Sequence, residues 1–231
     1  MSITKLAART RTLQFMDATG SSRWDTTANG EVDQAIGYAA DQEWRTILDA
    51  NPYVATQAIT TPLITGGTVA KTTLTTGSGD TIKRLYKVLG LNVNLTPVKI
   101  EPFATDYLGA FVAGAASQPT IAYEFGDNFQ ILPTSLGGTS SIWFVNYLPA
   151  KFDTLATDNS NFPFPDSFED VPLLEAAAYL LASKGGAESE AAIPLVGLAK
   201  KRRTDMLRTL ERPTVAPMQM RYADSSATWG Q

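Results

Sequence analysis

The strongest hydrophobic pattern in the chain lies at residues 165–192, PDSFEDVPLLEAAAYLLASKGGAESEAA. Leu173, Leu174, Ala177, Ala178, Leu180 and Leu181 cover more than one face of a helical cylinder, the mark of a helix that is buried rather than laid on a surface. Asp166, Ser167 and Asp170 offer oxygens to the unpaired N–H groups of a first turn, and Glu169 sits where a capping box or the helix dipole favours an acid. Pro172 must then lie in the first turn, because deeper in a helix it costs about 3 kcal/mol. Gly185 and Gly186 permit the left-handed conformation that ends a helix. The pattern predicts a helix over 170–185 and a second over 188–212, bent at Ile193-Pro194, closed by Pro213 and carrying Met206 and Leu210 on one face. Small alanine faces let backbones approach closely, within a subunit or between neighbouring subunits.

Nearer the N-terminus, Ile3, Leu6, Leu13 and Met16 recur near a helical repeat and predict a short helix over 3–17. Val32, Ile36, Ala40, Trp44, Ile47 and Leu48 predict a stronger one over 31–49, with Asp33, Asp41, Gln42 and Arg45 elsewhere on the cylinder and Asn51-Pro52 as its stop. Over 53–95 the texture changes to Thr, Val, Ile and Gly, which reads as strands divided by turns at Gly66-Gly67 and Gly77-Ser78-Gly79. KRLYKVLGLNV alternates like a half-buried antiparallel strand. A brief helix is predicted over 104–112, a hairpin from two strands flanking Gly126-Asp127, and another strand over 141–147. The expected fold is α+β: a helical bundle with an inserted antiparallel β-rich region over 53–148, together one domain spanning 1–212. Residues 213–231 carry prolines, isolated apolar residues and no period, and read as an extended tail unable to fold alone.

Composition narrows the chemistry. With 231 residues, 44% of them hydrophobic, the chain can bury a sizeable core. It contains neither cysteine nor histidine, which removes disulfides, thiolate and imidazole metal sites, and Ser-His-Asp or Cys-His catalysis together. A net charge of −4 argues against general affinity for duplex DNA. Lys5, Arg9 and Arg11 lie in an N-terminus without a continuous apolar stretch, so no signal peptide is expected there. Nothing approaches the roughly 20 apolar residues of a membrane span, and the expectation is a soluble protein made inside a cell.

Lys200, Lys201, Arg202, Arg203, Arg208 and Arg212 crowd the end of the last predicted helix, where cations oppose the negative dipole end. A solvated face is the plain reading, since no aromatic platform accompanies them; pairing with acids of a neighbouring subunit is the alternative. Asp153, Asp158, Asp166, Glu169 and Asp170 fit caps and turns better than a calcium loop or a glycosidase pair. TTGSGD lacks the Gly-Lys-Ser/Thr ending of a phosphate loop and reads as a turn. Trp24, Trp44 and Trp143 stand beside helix or strand signals and are expected in the core. Met218, Met220, Tyr222 and Trp229 have no core of their own, which leaves docking into another protein or disorder open. No cofactor or metal is expected.

One family resemblance ties these parts together. A strand ending in NYLPAKF, then acids, a proline-rich approach, an Ala/Leu helix, Gly and a second helix is similar to the head-to-tail adaptors of tailed bacteriophages. RWDTTANGEVDQAIGYAADQEWRTILDA resembles the Arg-Trp start and early amphipathic helix of that group, DTIKRLYKVLGLNVNLTPV its inner strands, and FQILPT a strand ending in proline, though without the aromatic-Pro-x-Pro ending of many relatives. The resemblance covers most of residues 23–212. It implies a structural protein without enzymatic activity, in the virion neck, assembled in the host bacterial cytoplasm. It implies a homo-oligomeric ring, a dodecamer, between the portal protein and a downstream neck or tail protein, with genomic DNA passing non-specifically through it. A weakly acidic wall would keep that DNA from sticking. Met218, Met220, Tyr222, Trp229, Lys200, Lys201, Arg202 and Arg203 are the candidate protein-binding residues, the tail gripping the portal. A tail-completion or stopper ring is the nearest alternative, and a carboxylate-dependent glycosidase the alternative from a different class.

Overall fold

The structure is a computed structural model and describes residues 3–18, 23–59, 63–64, 67–74, 83–93, 96–101, 121–132, 139–184 and 187–210. It is a mixed α+β protein. The predicted helix at 104–112, the turn at Gly77-Ser78-Gly79 and the 213–231 tail lie outside the described residues.

Among the described residues, four α-helices form from the periodic segments. Helix α1 is Lys5–Phe15, opened by Thr4, whose Oγ1 accepts from Ala7 N at 3.2 Å. Helix α2 is Glu31–Ala50, with Glu31 and Asp33 in its first turn. Helices α3, Asp170–Lys184, and α4, Ala187–Leu210, follow each other closely. Pro172 is the third residue of α3, where its missing N–H costs no intrahelical bond. Pro194 lies inside α4, which continues through it as one helix from end to end.

Helix α3 packs against α1, α2 and α4, and Val171, Leu173, Leu174, Ala176, Ala177, Ala178, Leu180 and Leu181 are all buried. The all-round apolar pattern of its sequence is thus matched by burial on several sides. Phe152, Phe162 and Phe164, from the segment entering α3, complete this helical core. Helix α1 keeps part of its predicted face, with Leu13 and Met16 buried and Ile3 packed against the core, but Leu6 is exposed and Lys5, Ala8, Arg9 and Thr12 are buried instead. Asp33, expected away from the apolar face of α2, is fully buried as well. Both differences have one cause, an internal ion pair that hydrophobic periodicity does not register.

Among the described residues, the segment between α2 and α3 carries eight strands: β1 Thr56–Ile59, β2 Leu63–Ile64, β3 Thr68–Ala70, β4 Arg84–Val93, β5 Thr96–Glu101, β6 Ile121–Phe125, β7 Asn128–Leu132 and β8 Thr139–Leu148. Their order is β1-β8-β4-β5-β6-β7-β3, with β2 also on β8. Every pairing is antiparallel except β5 with β6, where Ile100 lies opposite Ala122 in parallel register. In the β6–β7 hairpin, Phe125 pairs with Asn128 across Gly126-Asp127, and Gly126 has φ +57, the requirement of the first central position of a type II′ turn. A second core of Leu91, Val93, Phe129, Ile131, Trp143 and Val145 lies against this sheet.

Helix α2 joins the two cores through a polar seam. Asp41 accepts from Arg84 at 2.9 Å, the Tyr86 hydroxyl donates to Asp49 at 3.0 Å, and the Arg45 guanidinium lies 5.4 Å from the centre of the Tyr86 ring. Asp41, Arg45 and Asp49 are spaced four apart and so share one helix face.

Candidate protein-binding surfaces

Two internal charge clusters determine which ionic groups are left for a partner. In the first, the Arg9 guanidinium grips Asp33 through two hydrogen bonds of 2.8 Å, Asn29 N donates to the same carboxylate at 3.0 Å, and Lys5 Nζ lies 3.3 Å away. Burial opposes ionisation of Asp33, but hydrogen bonds from Arg9 and the Asn29 N–H outweigh it and hold its carboxyl below the usual carboxylate range. Arg9 also reaches Asp158 at 3.3 Å, and Lys5 donates to Leu155 O at 3.1 Å. The N-terminal helix is therefore locked to α2 and to the loop before α3.

The second cluster absorbs part of the basic run. Arg203 of α4 donates through Nε to Glu43 of α2 at 2.7 Å and through a terminal nitrogen to Glu175 of α3. Burial, then the adjoining Glu43, push the Glu175 carboxyl from 4.5 up to about 7, with Arg203 opposing them. Arg202 pairs with Asp170 at 3.1 Å. Of the four cations proposed for protein binding, Arg203 and Arg202 thus already hold acids of their own chain, while Lys200 and Lys201 are exposed on α4. Met218, Met220, Tyr222 and Trp229 fall outside the described residues.

Of the acids assigned to caps and turns, Asp158 and Asp170 serve as counter-ions to Arg9 and Arg202. The sequence alone assigned no ion-pair role to Lys5, Arg9 or Asp33, and singled out neither Glu43 nor Glu175. The only signal was weak: charged residues at positions that continue a buried stripe, such as Glu43 beside Ala39, Ala40 and Ile47.

Apolar side chains are also left outside. Tyr38 of α2 and Tyr179 of α3 are both more than 60% exposed, with ring centres 6.4 Å apart. Ile193, Val196 and Leu198 are exposed on α4. Trp24 and Trp143 are buried as expected, whereas Trp44 is half-buried, packs against the helical core and donates to Pro163 O at 2.8 Å. It lines two adjoining grooves that also share Pro149. One, of about 290 Å³, runs beside Val54, Thr56, Gln57 and Tyr147; the other, of about 440 Å³, lies along Phe162, Pro163, Phe164 and Pro165.

Compared with known proteins, the chain matches no family model and no curated protein. No helix among the described residues is long and apolar enough to cross a membrane.

Proposed function

We propose that this chain is a structural head-to-tail adaptor of a tailed bacteriophage, a non-enzymatic subunit of a ring beneath the portal in the virion neck. In this reading residues 1–212 are one adaptor domain, a helical bundle with an inserted β-rich region, and residues 213–231 are an extended tail. The ring, a dodecamer, joins the portal protein to the next neck or tail component and keeps the DNA path open.

The observation that supports this best is the burial of α3 among α1, α2 and α4, with the strands inserted between α2 and α3. That is the element order the adaptor resemblance implies. The acid–arginine cluster supports it further, because Glu43, Glu175 and Arg203 tie three helices into one unit that can present a constant surface to neighbouring subunits. Exposed Tyr38, Tyr179, Ile193 and Val196 supply apolar area for those contacts. Glu43 and Glu175 are the closest thing to the acid pair of a glycosidase, but Glu43 is fully buried between helices, where a sugar has no access.

Electron microscopy of the purified, full-length protein tests the ring. Closed rings with a central opening support the adaptor reading, and a uniformly monomeric protein in the presence of portal rings removes it.

A further inference from the structure

We infer that the groove beside Trp44 is the seat of this chain's own C-terminal segment, with residues 218–222 adding a strand to the open edge of β1. This is independent of the neck-adaptor reading.

Three observations converge on that occupant. The first is where the described chain ends. The Leu210 carbonyl, at the end of α4, accepts from Asn51 Nδ2 at 2.7 Å. Asn51 also caps the short turn Pro52–Ala55, which leads straight into β1 and lines the groove with Val54 and Thr56. Leu210, the last described residue, is therefore tied to the start of the segment that lines the groove, and 21 residues follow it in the sequence. From Leu210 to Met218 is eight residues, a reach of about 25 Å when extended.

The second is the edge itself. Strand β1 ends the sheet, so among the described residues its outer backbone groups face no other strand. Gln57 and Ala58 are exposed. An open edge is a template for an extended segment, whose main chain supplies the hydrogen bonds and whose alternate side chains enter pockets.

The third is a local pattern inside a tail that shows no overall period. In Met218-Gln219-Met220-Arg221-Tyr222 the apolar residues fall at every second position, the spacing of one face of a strand. The apolar part of the groove, Trp44, Val54, Tyr147 and Pro149, fits such a face, with methionine thioethers against aromatic rings, while Thr56, Gln57 and Lys83 form its polar part. In an adaptor, a tail held this way is released when a partner competes for the same Met and Tyr anchors.

The absence of cysteine makes the test clean. In full-length protein, Ala58→Cys is combined separately with Gln219→Cys and with Met220→Cys, one from each face of the tail segment, because groove-lining Thr56 and Gln57 point to opposite faces of β1. Mild oxidation should close a disulfide within one chain in at least one pair, read as a monomer of altered mobility that reverts on reduction. Crosslinks only between chains would give the groove to a neighbour's tail and overturn the inference, and so would no crosslink in either pair. The second arm is tryptic cleavage at Arg221, which should run about tenfold faster in Val54→Asp than in the unmodified chain. Val54 is partly exposed, so the variant is expected to keep its melting temperature. Equal cleavage rates in a folded Val54→Asp protein would overturn the inference.

Discussion

Arg203 Nε donates to Glu43 at 2.7 Å across 160 residues of sequence, joining the last described helix to the second. Glu43 is fully buried, and Glu175 leans on the same guanidinium from α3. Arg203→Met should therefore cost about 3–5 kcal/mol, because it leaves two acids facing each other without their cation. Thermal or denaturant unfolding reads the loss. An unchanged melting temperature would show that the cluster does not hold the three helices together.

The same pair predicts a pH dependence with a definite sign. Glu175 titrates near 7 in the folded chain and near its ordinary 4.5 when unfolded, so between those values the folded state keeps a proton that the unfolded state has released. Stability is then highest below about pH 4.5 for this group, falls as pH rises toward about 7, and levels off above it. Glu175→Gln should remove that fall and be more stable than the parent at pH 8. Unfolding curves at several pH values compare the slopes.

Most of the helical architecture could be read from the sequence because hydrophobic period and terminus chemistry agreed. Pro172, Gly185 and Gly186 bracketed α3 to within a residue, and Gly126-Asp127 announced its hairpin. The face of α1 could not be read in the same way. Its buried side holds Lys5 and Arg9, whose burial depends on Asp33 arriving from another helix, a long-range pairing that no local pattern encodes. The parallel β5–β6 pair likewise depends on residues about twenty positions apart. For the site, the basic run was visible, but its division between Arg202 and Arg203, held internally, and Lys200 and Lys201, left exposed, required the packing of α4 on α2 and α3.

Ala178→Asp tests the buried helix directly. Ala178 belongs to the helical core, so an unpaired carboxylate there should cost at least about 3 kcal/mol and impair folding or subunit assembly. Soluble expression and thermal melting report it, and an unchanged soluble ring-former would mean that this face of α3 is not buried.

With no cysteine, no histidine and no complete catalytic motif in its sequence, the protein is expected to bind no transition metal in stoichiometric amount and to hydrolyse neither nucleotides nor glycans. Metal analysis and a hydrolase screen check both. Reproducible turnover abolished by changing one acid would redirect the functional reading toward an enzyme.

Removing residues 214–231 should spare the fold and weaken portal attachment, by less than the roughly 1.5–3 kcal/mol of full burial per anchor, because Met218, Met220 and Tyr222 leave the groove beside Trp44 in order to bind. In phage complementation the truncated chain should leave DNA-filled heads without joined tails, or heads that leak DNA. Normal infectivity and portal binding would move the portal contact to the loops or to the exposed lysines of α4.

The neck assignment itself is tested most directly by locating this chain in purified virions by electron cryomicroscopy, with the α1–α4 fold fitted to the density. A ring of these subunits directly beneath the portal, coaxial with the DNA path, is the expected result. Density for the chain elsewhere in the particle, or particles that lack it altogether, would contradict it.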